Sequence, residues 1–157
     1  MTSPTARLVE LGLRLPAVAA PAGAYVPAVL TGQHVYTAGQ LPRVQGAMLH
    51  TGTVGADVTV EQATECARVC TLNALAAVDA LVGLDRVARV VKVVGYVASA
   101  PGFGEQPRVL DAASHLLGQV FADNGTHVRS AIGAAALPLG APVEIELIVE
   151  ITQPTTT

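Results

Sequence analysis

The sequence predicts an α+β fold in which a mixed sheet carries two helices on one of its faces. Three observations predict it: short strand-like runs before position 50, two segments with apolar residues at helical spacing after it, and Val- and Ile-rich runs that follow each helix. The resulting order is strand, strand, a weak third strand, helix, strand, helix, strand, strand. A length of 157 residues suits one domain. We therefore assign residues 1–157 to a single domain, with an N-terminal extension over 1–20 and a core over about 21–151.

The N-terminal third contains a short helix and a β-hairpin. Residues Thr5–Leu13 favour the helix. Two strand-like runs follow, Tyr25–Leu30 and His34–Ala38, and the turn residues Thr31-Gly32-Gln33 between them indicate a hairpin. A third, weaker strand is predicted near Ala47–Leu49.

The long helix has the clearest end signals in the chain. Thr59 suits the N-cap, and Gln62 three residues later completes a capping box. Apolar residues then recur at helical spacing to about Leu81, and Gly83 suits the C-terminal cap. The sequence therefore predicts a helix over Thr59–Leu81.

The C-terminal half alternates strands with a second helix. Val87–Ala98 is rich in valine and predicts a strand, and Pro107–Ala122 predicts a helix with proline in its first turn. The last two predicted strands are Val128–Ala136 and Pro142–Ile151. We expect these two to pair as a hairpin across residues 137–140.

The composition points to self-association in a reducing compartment. Hydrophobic residues make up 51% of the chain and charged residues only 13%, against about 25% in an average soluble domain. No apolar stretch reaches the roughly 20 residues that a membrane-spanning helix needs, and charges at Arg7, Glu10 and Arg14 argue against a signal peptide. We expect a cytoplasmic protein without a membrane segment, whose uncharged surface is partly covered by further copies of the chain.

Several classes of site are disfavoured. The net charge is −3 and there is no tryptophan, so the basic stripe or stacking platform of a nucleic-acid-binding protein is missing. Cys66 and Cys70 lie four residues apart in a helical segment, which predicts buried packing thiols rather than a disulfide or a redox motif. No metal-ligand spacing occurs among the histidines, which we interpret as surface or capping residues: His34, His50, His115 and His127.

Arg129 is the most conspicuous candidate binding residue. It begins a predicted strand whose next dozen positions carry no charge. Its planar guanidinium matches a carboxylate through two parallel hydrogen bonds. A purely structural, ion-paired arginine is the alternative on these grounds.

Glu144 and Glu146 alternate with apolar residues, so both carboxylates lie on one face of the last strand. Two interpretations stay open: an ordinary solvent-facing pair, or a proton carrier whose pKa rises in a desolvated site. If the last two strands pair as a hairpin, Glu144 lies roughly 13 Å from Arg129. A small substrate, a water molecule or a neighbouring subunit would then have to join them.

Two further candidates lie near the first hairpin. Gly39 follows a strand and allows the backbone to approach a ligand, although an ordinary turn glycine is the simpler interpretation. Tyr25 is one of three tyrosines, and a packing role is equally compatible with it.

These segments resemble the RidA (YjgF/YER057c/UK114) family. The resemblance is carried by Gly23-Ala24-Tyr25-Val26, by Tyr36-Thr37-Ala38-Gly39-Gln40-Leu41-Pro42, and by a closing pattern. That pattern is Val128-Arg129-Ser130-Ala131-Ile132, then Leu137-Pro138, then Val143-Glu144-Ile145-Glu146. Ala131 stands where better-known members have cysteine, and the N-terminal segment is longer than in short members. The chain is thus similar to a divergent branch of the family.

The resemblance implies a chorismate-mutase-like fold, assembled as a homotrimer around a central barrel with ligand clefts between subunits. It implies hydrolysis of reactive 2-enamine and 2-imine acids to 2-keto acids and ammonia, of the 2-iminobutanoate/2-iminopropanoate deaminase type, without a metal or organic cofactor. Two alternatives stay open: a non-catalytic trimer that binds small carboxylates, and, less favoured, the ribonuclease or translation-inhibitor activity attached to some members.

The resemblance also implies roles for individual residues. Arg129 would clamp the substrate carboxylate, and the backbone N–H of Ala131 would donate to the same group. The backbone at Gly39 would contact the ligand, and Glu144 would orient water and move protons. Tyr25 would line the cleft from the adjacent subunit.

Overall fold

The computed structural model describes residues 2–152, so Met1 and residues 153–157 of the predicted domain lie outside it. It contains a five-stranded mixed sheet with helices on one face, which confirms the α+β prediction. The helices are α1 (Pro4–Glu10), α2 (Val60–Val82) and α3 (Gln106–Phe121), and the strands are β1 (Ala28–Thr31), β2 (His34–Thr37), β3 (Arg43–Val44), β4 (Ala47–Met48), β5 (Val87–Ala98), β6 (Val128–Ala134) and β7 (Val143–Ile151).

The strands of the large sheet are ordered β1-β2-β7-β5-β6, and β3 pairs with β4 in a separate small hairpin. The hairpin predicted before position 40 is confirmed, since Thr31 pairs with His34 across a turn in which Gly32 has a φ of 56°. Its first strand begins at Ala28 rather than at Tyr25. The weak third strand is one arm of the two-residue β3–β4 hairpin.

The predicted hairpin between the last two strands is wrong. Strand β6 pairs in parallel with β5, and β7 pairs antiparallel with the other edge of β5. Because α3 connects β5 to β6, these elements form a strand–helix–strand unit, which places its two strands parallel. Residues 138–140 form a 3₁₀ turn instead of a tight β-turn, and the chain crosses to the far side of β5.

The helices cover one face of the sheet. Helix α2 begins with the predicted capping box between Thr59 and Gln62, and Gly83 is its C-cap. Cys66 and Cys70 are buried free thiols in the core, and burial raises the pKa of Cys66 to about 11. No helix of the described residues is long and apolar enough to cross a membrane.

The N-terminal extension packs on this layer. Leu8 of α1 is 4% exposed in the same apolar cluster as the core of α2 and α3. The backbone N–H of Thr5 donates to Asp85 Oδ1 at 2.8 Å. The extension is therefore part of the folded domain.

The other face of the sheet carries no helix among residues 2–152, and we call it the open face. Odd-numbered residues of β7 are buried toward the helices, and its even-numbered residues are half exposed on the open face. Strand register places Tyr36, Val128 and Ile132 on the same face, with exposed fractions of 42%, 65% and 41%. A lone chain thus leaves an apolar sheet surface in water.

Candidate functional site

A break in strand pairing positions the Gly39 backbone. Strand β2 pairs with β7 as far as Tyr36 and Ile148. The chain rejoins β7 only at Gln40, which exchanges two backbone hydrogen bonds with Ile145 at 2.8 and 3.0 Å. Between these points the Leu147 N–H donates to the hydroxyl of Thr37 at 2.9 Å instead of to a carbonyl. Residues 38 and 39 therefore leave the regular ladder.

A buried asparagine on α2 holds the segment after Gly39 through hydrogen bonds. Asn73 of α2 donates from Nδ2 to the carbonyl of Leu41 at 2.9 Å and to that of Arg43 at 3.1 Å. Asn73 is only 6% exposed, so these two bonds satisfy an amide group that water reaches poorly. These bonds fix the position of the Gly39 loop relative to helix α2.

Glu144 packs directly on this glycine. A Cβ added at Gly39 would overlap a carboxylate oxygen of Glu144 and lie 2.8 Å from its Cδ. Burial raises the pKa of Glu144, and the nearby charge of Glu146 raises it further. The absence of a side chain at position 39 thus makes room for a half-buried carboxyl that holds its proton more readily than an ordinary glutamate.

Tyr96 of β5 lies beside Glu144 on the open face. The two residues are directly paired in the β5–β7 register. Burial, then Glu146 and Glu144, raise the pKa of the Tyr96 phenol. Sequence reasoning missed this neighbour, because the register that pairs the two residues depends on β5 being the partner of β7.

Tyr25 lies beside Gly39 in the same chain. Both residues line a small pocket of about 40 Å³, together with Pro27 and Arg43. The Tyr25 side chain is exposed, and its hydroxyl accepts a hydrogen bond from the Ala22 N–H at 3.3 Å. The structure therefore brings Tyr25, Gly39 and Glu144 to one end of the sheet.

Arg129 lies at the opposite edge, on strand β6. Its Nη1 donates to Asp111 Oδ1 at 2.9 Å and to Ser114 Oγ at 3.0 Å, both on α3. Nη2 makes only a long contact of 3.4 Å with the Pro107 carbonyl. Nε has no hydrogen-bond partner among the described residues, and no buried side-chain nitrogen or oxygen there lacks one. Nε therefore reaches solvent, and the bond of Nη2 to Pro107 is the longest that the guanidinium makes.

Arg129 and Glu144 lie on opposite faces of the sheet. Arg129 and Ala131 share the helix-covered face with Val93 and Leu147, whereas Glu144 is on the open face. They are separated by two strand spacings and three residues along the strands, which is roughly 14 Å between Cα atoms. A single chain does not bring both side chains to one small ligand.

Two polar residues behind Arg129 were not recognised from the sequence. Ser114 lies within α3, and His127 precedes β6; their side chains are 3.0 Å apart. We expected His127 to be a surface or capping residue, and its ring does bond the Gly125 carbonyl at 2.6 Å. Only the parallel β5–β6 arrangement places it against the middle of α3. Over residues 2–152, no three His, Cys, Asp or Glu side chains come together as a metal site would require.

Comparisons with known proteins agree with this architecture. The profile of the family described as "YjgF/chorismate mutase-like, putative endoribonuclease" matches residues 5–151. Protein TCP17 of Trypanosoma cruzi is 44% identical over 148 residues, covering 93% of this chain and 92% of that protein.

Two solved structures extend the agreement. The Agrobacterium tumefaciens protein Atu1372 is 43% identical with a TM-score of 0.86, covering 95% of this chain and 92% of that one. A Shewanella oneidensis protein, itself described as a putative endoribonuclease, is 36% identical with a TM-score of 0.91, covering 95% and 99%. The resemblance inferred from the sequence motifs is confirmed, and the chain belongs to the YjgF/chorismate-mutase-like family.

Proposed function

We propose that this protein is a homotrimeric deaminase that hydrolyses small 2-imino and 2-enamine acids to 2-keto acids and ammonia. The observation that carries the proposal is the half-buried carboxyl of Glu144, with its raised pKa, packed on the bare backbone of Gly39. A carboxyl in such a place accepts a proton more readily than an ordinary carboxylate and can return it to a bound ligand. Family membership supports an assembly of this kind, since proteins of this family are typically oligomers that bind small ligands.

Self-association is supported by the open face. Exposed apolar side chains lie on this face along β1 and β2 at one edge of the sheet and along β6 at the other, and exposed apolar surface on an uncovered sheet is typical of an interface. Covering it with two further copies would also account for the low charge content of the chain. A cleft between subunits would then unite the Glu144 end of one sheet with the Arg129 edge of the next.

Arg129 is suited to hold the substrate carboxylate by its Nε–Nη2 edge. Asp111 and Ser114 occupy Nη1, whereas Nε has no partner among the described residues and Nη2 has only the 3.4 Å bond to the Pro107 carbonyl. A two-pronged bond to an acid would share or replace that long bond. Asp111 is itself 52% exposed, so its ion pair with Arg129 contributes little stability and competes weakly with a ligand. Ala131 lies two residues further along β6, whose outer edge is unpaired in the described sheet. A backbone N–H there could donate to the same carboxylate.

The reaction needs only positioning and proton transfer. Glu144, as the carboxylate, takes a proton from water as the water oxygen attacks the carbon of the protonated imine, which gives a neutral carbinolamine. The carboxyl returns that proton to nitrogen. As the C–N bond breaks, the carboxylate takes the hydroxyl proton, so that the 2-keto acid and ammonia leave, and the ammonia carries this last proton away as ammonium. Gly39 presents backbone to the ligand, and Tyr25 forms part of the cleft wall. No step requires a metal or an organic cofactor.

The test is Arg129→Lys, which keeps the charge but removes the fork. With imine generated freshly by an amino-acid oxidase, we expect kcat/KM to fall at least about 100-fold, as loss of positioning predicts. The matched control is Arg14→Lys in the N-terminal extension, at an exposed position without a hydrogen bond among the described side chains. Full activity of Arg129→Lys would refute the carboxylate clamp.

Two other outcomes would assign a different function. Binding of 2-ketobutyrate without turnover above background would identify a carboxylate-binding trimer. The family description names endoribonucleases, so RNA cleavage is the remaining candidate; the net charge of −3 disfavours it. Binding to RNA that weakens steeply with salt would support that activity, and affinity without salt dependence would exclude it.

A further inference from the structure

A chain of hydrogen bonds runs from the backbone to the guanidinium of Arg129. His127 Nδ1 lies 2.6 Å from the Gly125 carbonyl oxygen, and its Nε2 lies 3.0 Å from Ser114 Oγ. Ser114 Oγ in turn lies 3.0 Å from Arg129 Nη1. Four groups are therefore connected in one line, from the turn after α3 to the edge of the sheet.

The chain has a fixed direction. A carbonyl oxygen can only accept, so Nδ1 of the neutral ring carries the hydrogen and Nε2 is left as an acceptor. The Ser114 hydroxyl then donates to Nε2, and its oxygen accepts from Arg129. Each bond determines the orientation of the next, and the backbone at Gly125 determines the first.

The position of Ser114 supports a role beyond helix packing. A serine inside a helix usually turns to solvent or bonds the carbonyl one turn earlier. Ser114 instead faces His127 and Arg129, beside a groove of about 330 Å³ that is also lined by Gly118, Ala122, Gly125 and Thr126. Ser114 and His127 are both half-buried, whereas the alternative anchor, Asp111, is more exposed. The serine bond is thus the better shielded of the two that hold Nη1.

We propose that Ser114 and His127 are positioning residues that fix the rotation of the Arg129 guanidinium, so that its Nε–Nη2 edge faces the incoming acid. That the edge faces an acid rests on the proposed function, whereas the fixed rotation of the guanidinium does not depend on it. Neither residue contacts the ligand in this arrangement. Both act through Arg129.

Histidine variants separate positioning from general damage. His127→Asn keeps a donor near the Nδ1 position but has no acceptor that reaches Ser114. His127→Gln extends an amide oxygen toward the Nε2 position and can restore that acceptor. Ser114→Ala removes the middle of the chain, and His115→Asn, at an exposed position on the same helix, is the matched control.

The first readout is NMR of the Arg129 guanidinium in the assembled protein. Separate Nη1 and Nη2 signals are expected in the wild type and in His115→Asn, because the group cannot rotate freely. Ser114→Ala and His127→Asn should merge them, and His127→Gln should keep them apart. Persistent separate signals in Ser114→Ala would overturn the proposal whatever the activity data show.

The second readout is calorimetric binding of 2-ketobutyrate, with KM and kcat measured alongside. We expect Ser114→Ala and His127→Asn to weaken binding of the keto acid about tenfold and to raise KM by the same factor. This is the effect of losing about one charge-assisted hydrogen bond between a misoriented Arg129 and the ligand. The value of kcat should stay within about twofold. Unchanged affinity with merged signals would overturn the functional part of the proposal. A wild type that binds no 2-keto acid would instead count against the proposed function, and the NMR result would still decide the positioning role.

Discussion

Two glycine-to-alanine changes should differ in their effects. Gly95→Ala should lower stability and leave activity, whereas Gly39→Ala should lower activity and leave stability. At Gly95 a new Cβ would overlap the side chain of Leu110, which is fully buried. At Gly39 the new Cβ would meet the far end of Glu144, a half-exposed side chain that can turn away from position 39. Neither glycine has a left-handed φ, so backbone strain does not enter the comparison.

The expected changes in the free energy of unfolding depend on whether Leu110 or Glu144 can move away from the new Cβ. Overpacking a core costs about 1–3 kcal/mol, and the loss of glycine's freedom in the unfolded chain returns about 0.4–1 kcal/mol. The new Cβ would lie within 3 Å of three atoms of Leu110, so the upper half of the overpacking range applies. Gly95→Ala should therefore lose about 1–2.6 kcal/mol, which lowers Tm by roughly 2–10 °C in a chain of this size. For Gly39→Ala, a rotamer cost of about 0.5–1.5 kcal/mol at Glu144 nearly cancels the same entropic gain. Its Tm should change by less than about 2 °C.

Function should respond in the reverse order. Gly39→Ala displaces the carboxyl that handles the proton, so deaminase kcat should fall at least tenfold, whereas Gly95→Ala should retain kcat below its Tm. The assays are thermal denaturation at matched subunit concentration and the coupled oxidase assay. Equal loss of stability in both variants, or wild-type kcat in Gly39→Ala, would refute this view of the Gly39–Glu144 contact.

Two further changes test the surroundings of Glu144. Because its pKa is raised on folding, the stability that its neutral form provides is complete below about pH 4.3 and is lost as the pH rises through the raised value. Glu144→Gln, which cannot ionise, should therefore have a higher Tm than the wild type at pH 7 and a nearly equal Tm at pH 4; Glu150→Gln on the same face is the control. Asn73→Ala leaves the Arg43 carbonyl without its side-chain donor and the Leu41 carbonyl with only the Arg43 N–H. It should lower the free energy of unfolding by about 1–3 kcal/mol, measured by urea denaturation; an unchanged midpoint would show that water replaces both bonds.

The parts of the fold that local chemistry determines were predictable from the sequence. The capping box at Thr59 and the glycine at position 83 define α2 within a residue or two, because those signals involve only neighbouring backbone groups. The valine-rich run predicted β5 at its observed ends, Val87–Ala98. Such elements need no knowledge of their partners.

Pairing of the last strands was not predictable in the same way. Residues 137–140 look like turn residues in isolation, and the decision between a hairpin and a crossing depends on α3, which makes β5 and β6 parallel neighbours. The same error concealed the contacts of the site. Ser114 meets Arg129, and Tyr96 meets Glu144, only once β5 lies between β6 and β7.

The placement of Arg129 and Glu144 on opposite faces leads to a mixing experiment. If each cleft takes Arg129 from one subunit and Glu144 from its neighbour, Arg129→Lys and Glu144→Gln chains refolded together at equal amounts should regain activity. About a quarter of the clefts in a randomly mixed cyclic assembly would combine the intact arginine of one variant with the intact glutamate of the other. Each variant alone should stay near background, as should either variant mixed with a chain that carries both changes. A mixture no more active than its parents would mean that both residues act in a cleft of one subunit, or that one of them takes no part in the reaction. We expect a cleft built from two subunits, because roughly 14 Å separates the Cα atoms of Arg129 and Glu144 within one chain.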